Sequence, residues 1–236
     1  NGLYQGIEIF YPKESNYLEY TNALMEIKKQ FPNIEFVMHL PHGKPYSLTD
    51  FNIYKENLKI MKDAISYASQ FGVKKLTLHL GFVDLEKDRN SYIEHIVFVL
   101  KDLCEFAKGY GMYVMLENMP SKNELGYSPD EIFTIIKLVN VENLKFILDT
   151  GHANVSEYEI IDYVNLLKEY LLHLHLNDND GSRDMHAPFG KGNIDFKKFL
   201  TLMEEINYDG LYCLEILYNT KEELENNAKA LLSYKN

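Results

Sequence analysis

Nine side chains able to hold a metal ion fall at or just after the ends of short apolar runs. His39 stands in FVMHLPHG, His79 in LTLHLG and Glu117 in YVMLENMP. Asp149 ends the apolar stretch of KFILDTGH, with His152 three residues on, and His175 lies in LLHLHLND. Asp184 and His186 follow in GSRDMHAPFGKGNID, and Glu215 closes the set in YCLEIL. Any one of these is most simply a hydrogen-bonded core or surface group. Together they imply more. Glu117, Asp149 and Glu215 gathered without compensation would repel one another and lose hydration. A divalent cation is the simplest compensation, and mixed imidazole and carboxylate ligands suit Zn²⁺, Mn²⁺ or Fe²⁺ better than Ca²⁺. The expectation is one to three divalent ions per chain, Zn²⁺ or Mn²⁺ first.

The elements that must position these groups are legible as seven apolar runs of strand length. They are Ile7–Phe10, Glu35–Pro41, Leu76–Gly81, Tyr113–Pro120, Lys145–Thr150, Leu171–Asp178 and Tyr212–Leu217. A helical pattern follows each. Between Phe51 and Phe71, Leu58, Met61, Ile65 and Ala68 recur at three- and four-residue spacing, which makes one apolar face. Ser128-Pro129-Asp130-Glu131 reads as a helix start, and Gly72 and Gly111 as helix stops.

Repeated strand–helix alternation implies parallel strands with right-handed crossovers. Two architectures satisfy it, a closed (β/α)8 TIM barrel and an open doubly wound sheet. The barrel is favoured because ligand-type residues recur at nearly every strand end, and only a ring makes those ends converge on one face. Seven units fall one short of eight, so the first strand and its helix are expected to precede Asn1. Unbroken alternation over 236 residues predicts one domain, residues 1–236.

The formal charge is −11, from 24 basic and 35 acidic residues, which disfavours broad binding to a phosphate backbone. A cation cluster reverses that sign locally, so nucleic acid is disfavoured without being excluded. Two isolated cysteines, Cys104 and Cys213, make no disulfide framework and point to a reducing, cytoplasmic setting. No apolar run approaches membrane-spanning length, so no membrane association is expected.

In this order, the strings HLPH, LHLG, LENMP, LDTGHAN, HLHLNDNDGSRDMH, GKGNID and LEI resemble the xylose-isomerase-like barrel superfamily, which includes endonuclease IV and many sugar and sugar-phosphate isomerases and epimerases. The resemblance covers essentially the whole chain. It implies a single-metal set on Glu117, Asp149, His175 and Glu215, as in the sugar isomerases. It also implies the trinuclear zinc set of endonuclease IV, which adds His39 and His79 around a bridging Glu117, and His152, Asp184 and His186 for a third ion. Short connections and the acidic charge point toward a small sugar or sugar phosphate. In the leading reading Glu117 and Glu215 exchange a proton with the carbon beside a carbonyl, and His152 steadies the oxyanion. The alternative is phosphodiester hydrolysis of the endonuclease IV type. His42, Arg183 and Lys191 are the expected substrate contacts, and Asn118, Asn177 and Asp178 are placed to orient ligands.

Overall fold

A computed structural model describes residues 3–234. Strands and helices alternate as β1 (Gly6–Phe10), α1 (Tyr17–Gln30), β2 (Glu35–His39), α2 (Tyr54–Ser69), β3 (Lys75–Leu78), α3 (Arg89–Gly109), β4 (Tyr113–Glu117), α4 (Pro129–Val139) and β5 (Leu144–Asp149). They continue as α5 (Thr150–Val155), α6 (Ile160–Leu167), β6 (Leu171–Leu176), α7 (Phe196–Glu205), β7 (Tyr212–Leu214) and α8 (Lys221–Tyr234). The described residues divide into two compact units, 3–116 with 135–145, and 117–134 with 146–234.

In the first unit β1 to β4 pair in chain order and in parallel, with Phe10 opposite His39, His39 opposite Thr77 and Thr77 opposite Met115. Parallel neighbours need a crossover between them, and α1, α2 and α3 supply it. Met61, Ile65 and Ala68 of α2 are fully buried, as their helical spacing predicts, and Ala64 is buried with them. The Asp88 carboxylate caps α3 by accepting the Asn90 N–H at 3.1 Å. Gly72 and Gly111, at φ +74° and +65°, close the turns after α2 and α3 in the left-handed region that glycine enters without strain. Cys104 is wholly buried on α3, and that burial pushes its thiol up to about 12.

In the second unit β5, β6 and β7 pair in parallel, placing Asp149 opposite His175 and His175 opposite Cys213. Ile147, Leu148, Leu174, Leu176, Tyr163, Leu167, Leu200 and Met203 are buried there. Where one helix was expected after β5, there are two. The short α5 starts on Asp149 itself, whose carboxylate accepts the His152 N–H, and α6 then makes the crossover.

The strands stop earlier than the apolar runs suggest, at His39, Leu78, Glu117, Asp149, Leu176 and Leu214. Beyond these points the backbone takes other partners. The Asn177 N–H, for example, donates to Thr150 Oγ1 at 3.2 Å. Leu40, Leu80, Met119 and Ile216 stay buried there although the ladder has ended, which is why the apolar runs outlast the strands. Among the described residues, no helix is long and apolar enough to cross a membrane.

Candidate metal centre

Four strand ends of the second unit converge. Glu117 ends β4, Asp149 ends β5, His175 is the penultimate residue of β6, and Glu215 follows β7 directly. One ligand-type atom from each lies within 4.8 Å of the other three. His175 Nδ1 sits 3.1 Å from Glu117 Oε1 and 3.0 Å from Glu215 Oε2. Glu117, Asp149 and His175 are buried, and Glu215 is partly exposed.

Neighbouring amides fix this set. Asn118 Oδ1 accepts the Asp149 N–H at 2.8 Å, and Asn118 Nδ2 donates to the Asp149 carbonyl at 3.0 Å. Asn177 Nδ2 donates to Asp149 Oδ2 at 2.8 Å, while Asp149 Oδ1 takes the His152 N–H at 2.6 Å. Each oxygen of Asp149 therefore has one orienting partner and keeps a lone pair. Gly151 lets this happen: a Cβ there would lie 1.8 Å from Asn177 Oδ1.

His152, Asp184 and His186 form an adjoining set, again with donor atoms within 4.8 Å of one another. Asp184 Oδ2 lies 3.3 Å from His152 Nε2 and 3.0 Å from His186 Nε2. The other nitrogen of each ring faces a carbonyl, His152 Nδ1 at 2.8 Å from Asn118 O and His186 Nδ1 at 3.0 Å from Glu215 O. A carbonyl only accepts, so Nδ1 carries the hydrogen in both rings and Nε2 is the nitrogen left to ligate. The two sets share a border, since His152 Nδ1 is 3.5 Å from Glu117 Oε1 and His186 Nδ1 is 3.7 Å from Glu215 Oε2.

The electrostatics describe a site short of positive charge. Burial, with Glu215 and Glu117 adding repulsion against the pull of His152, raises the Asp149 carboxyl to about 7. Burial opposes the His152 imidazolium, yet Asp149, Asp184 and Glu117 outweigh it and hold the ring well above the usual histidine range. The hydrogen bond to Asp184 raises His186 to about 9 against burial. Burial works to raise Asp184, but its hydrogen bonds from both histidines hold it well below the usual carboxylate range. Asp184 Oδ1 is buried with no hydrogen-bond partner among the described residues. Clustered carboxylates, imidazoles with Nε2 directed inward and an orphaned carboxylate oxygen together fit a divalent cation.

A pH dependence follows. At pH 7 His186 holds a proton on the nitrogen that must ligate, because its value is raised to about 9. Cation uptake at this set is expected to release on the order of one to two protons at pH 7, and affinity is expected to rise between pH 7 and 9. Titration calorimetry in buffers of different protonation enthalpy reads this directly. Uptake without proton release would refute the ligand assignment.

In the first unit the rings of His39, His42 and His79 cluster, with centroids 4.5 Å apart for His39 and His42, 4.8 Å for His39 and His79, and 4.9 Å for His42 and His79. His39 Nδ1 lies 2.9 Å from the Leu40 carbonyl, so Nδ1 carries the hydrogen and Nε2 is the nitrogen suited to ligation. Arg183 and Lys191 are exposed in the segment after β6, outside both donor sets of the second unit. His173 is buried one layer below His175, with ring centroids 5.6 Å apart. Glu124 escaped sequence reading, because a glutamate in SKNELG looks like a solvated loop residue. Burial raises its carboxyl, His152 pulls it down, and Asp184 and Glu117 push it up again, so it lies within reach of the centre.

The family model described as Xylose isomerase-like TIM barrel matches residues 2–234. An uncharacterized protein of Methanocaldococcus jannaschii, MJ1311, is 29% identical over 220 residues, covering 89% of this chain and 72% of the relative. Fructoselysine 3-epimerase of Shigella flexneri is 24% identical over 179 residues, 75% of this chain and 65% of its own length. A probable endonuclease 4 of Metamycoplasma arthritidis is 26% identical over 207 residues, 81% of this chain and 73% of its own length. The crystal structure of a D-tagatose 3-epimerase-like protein superposes with a TM-score of 0.85 at 26% identity, covering 98% of this chain and 88% of that one.

Proposed function

The chain belongs to the xylose isomerase-like TIM barrel family, and from that premise we propose that it is a metal-dependent sugar or sugar-phosphate epimerase or isomerase. The observation that carries the reading is the pair Glu117 and Glu215, two carboxylates that approach the same nitrogen of His175 from different strand ends. The names of two similar proteins, a fructoselysine 3-epimerase and a D-tagatose 3-epimerase-like protein, support it.

Inversion of a carbon beside a carbonyl needs a base on one side and an acid on the other. One of the two glutamates takes the proton from that carbon, and the electron pair moves onto the carbonyl oxygen, giving an enediolate. The other glutamate delivers a proton to the opposite face, and the carbonyl reforms. His152 stands 3.5 Å from Glu117 Oε1 and contributes positive charge near the developing oxyanion. When bound, a divalent cation, Zn²⁺ or Mn²⁺, supplies Lewis-acid polarisation of the carbonyl and the neighbouring hydroxyl. Glu117, Asp149, His175 and Glu215 would hold it. His42, Arg183 and Lys191 are proposed substrate contacts, the two cations for a phosphate or carboxylate.

A second reading, phosphodiester hydrolysis, is favoured by one observation, the complete second donor set on His152, Asp184 and His186. The likeness to a probable endonuclease 4 supports it. One comparison tests both readings. The cation-loaded protein is incubated in deuterated water with a panel of ketoses and ketose phosphates, and separately with an abasic-site duplex. Deuterium at the carbon beside the carbonyl, with appearance of the epimer and an intact duplex, is the expected result. Duplex cleavage without exchange on any ketose would replace the first reading with the second.

A further inference from the structure

The segment between β6 and α7 carries Asp184 and His186, and one residue closes it. Asp178 is buried, and its backbone makes a two-way antiparallel bridge to Ala187, N–H to carbonyl in both directions at 2.9 Å. The residues between them, which include both ligands, therefore form a closed excursion from the strand end. The Asp178 side chain then gathers the next stretch. Its Oδ2 accepts the N–H groups of Gly190 at 2.9 Å and Gly192 at 2.8 Å, and its Oδ1 accepts that of Ile194 at 3.3 Å. Gly192 is packed so closely that a Cβ there would lie 2.1 Å from the Asn179 carbonyl oxygen and 2.3 Å from Asp178 Oδ1. His186 itself sits at φ +44°, a left-handed conformation costly for a non-glycine residue, and its carbonyl accepts the Leu217 N–H at 2.7 Å.

Among the described residues, the hydrogen bonds of the Asp178 carboxylate go to the backbone N–H groups of Gly190, Gly192 and Ile194, so its effect on the donor sets runs through the backbone it holds. A carboxylate suits the place because three N–H dipoles converge on two acceptor oxygens. An amide does not. Asparagine has one acceptor oxygen, and its NH2 would confront either the Gly190 and Gly192 N–H pair or that of Ile194.

We propose that Asp178 is a positioning residue that presets Asp184 and His186 before any cation arrives, and so governs whether the His152–Asp184–His186 set is available at all. The four-ligand set of Glu117, Asp149, His175 and Glu215 is carried on strand ends and not on this segment. The proposal rests on the metal-binding reading only for its second measurement.

The test uses Asp178→Asn in the full chain. In the cation-free protein, amide exchange at Gly190, Gly192 and Ile194 is expected to accelerate on the order of tenfold or more, with strand amides unchanged. After loading with Zn²⁺ or Mn²⁺, metal analysis is expected to show loss of the ion held by His152, Asp184 and His186, with the ion on the four-ligand set retained. Gly192→Ala forces the same segment outward while leaving the carboxylate intact, so it reports on the latch even if Asp178→Asn does not fold. It should reproduce both effects. Unchanged exchange and unchanged metal content in either folded variant overturn the proposal. Faster exchange in a protein whose wild type takes up no cation leaves the latch standing and removes the metal reading instead.

Discussion

Glu117→Gln and Glu215→Gln each reduce hydrogen exchange at the carbon beside the substrate carbonyl by on the order of 10² to 10⁴-fold, the usual contribution of a positioned acid or base. The proposed mechanism gives each glutamate a separate duty. Both reach the His175 nitrogen, at 3.1 and 3.0 Å, from different strand ends, and the proposed mechanism assigns one face of the substrate to each. Glutamine keeps the size and one oxygen of the side chain and removes the group that holds the travelling proton. Each glutamate is also a proposed ligand, so cation content is measured beside the rate. A variant that keeps its cation and loses exchange identifies the proton carrier. Exchange within a few-fold of wild type in a cation-loaded variant of either residue would sink the two-glutamate mechanism.

The second large effect is expected at Asp149, where Asp149→Asn lowers cation affinity by at least roughly 100-fold. Loss of a group that merely orients a ligand already costs on the order of 10- to 100-fold, and Asp149 is itself a proposed ligand. Asparagine also cannot meet both neighbours. If its oxygen keeps the His152 N–H, its NH2 faces the NH2 of Asn177. Stability moves differently. Burial lifts the Asp149 carboxyl from 3.8 to about 7, so in the cation-free protein its ionisation opposes folding. That group contributes its full share of stability below about pH 4 and loses it as pH rises toward 7. The cation-free variant is therefore expected to unfold close to wild type at pH 7, relief of buried charge offsetting the lost hydrogen bond from Asn177 Nδ2, worth about 1 kcal/mol. The upward shift in Tm produced by added Zn²⁺ or Mn²⁺ should vanish. Thermal melts with and without the ion test this, and a persisting shift would remove Asp149 from the ligand set.

Much of this site is readable from residue order. The donors at Glu117, Asp149, His175 and Glu215 end apolar runs whose length marks strands, and chemistry-bearing side chains at such ends have few structural reasons to recur. The strand–helix alternation carried the fold for the same reason, since parallel strands cannot be joined without crossovers. What sequence could not show lies in contacts between residues distant along the chain. The Asn118 amide clamps Asp149 across 31 positions. The carbonyls that choose the ligating nitrogen of His152 and His186 come from Asn118 and Glu215, and no periodicity encodes them. His95 looks like a surface residue of an amphipathic helix, yet its ring nitrogen lies 3.1 Å from the Leu48 carbonyl and its ring packs on Phe51. The double helix after β5 was missed because Asp149 reads as a strand end and is also the first cap of α5.

The hydrogens on Nε2 of His152 and His186 act as placeholders. Both rings face Asp184 through that nitrogen, at 3.3 and 3.0 Å. Asp184 therefore has internal counter-ions already in place. Trading two such hydrogens for one dication leaves the sum of charge in that interior unaltered. At this set the arrival of the ion is a swap of equals, and the charge summed over its three side chains is the same before and after.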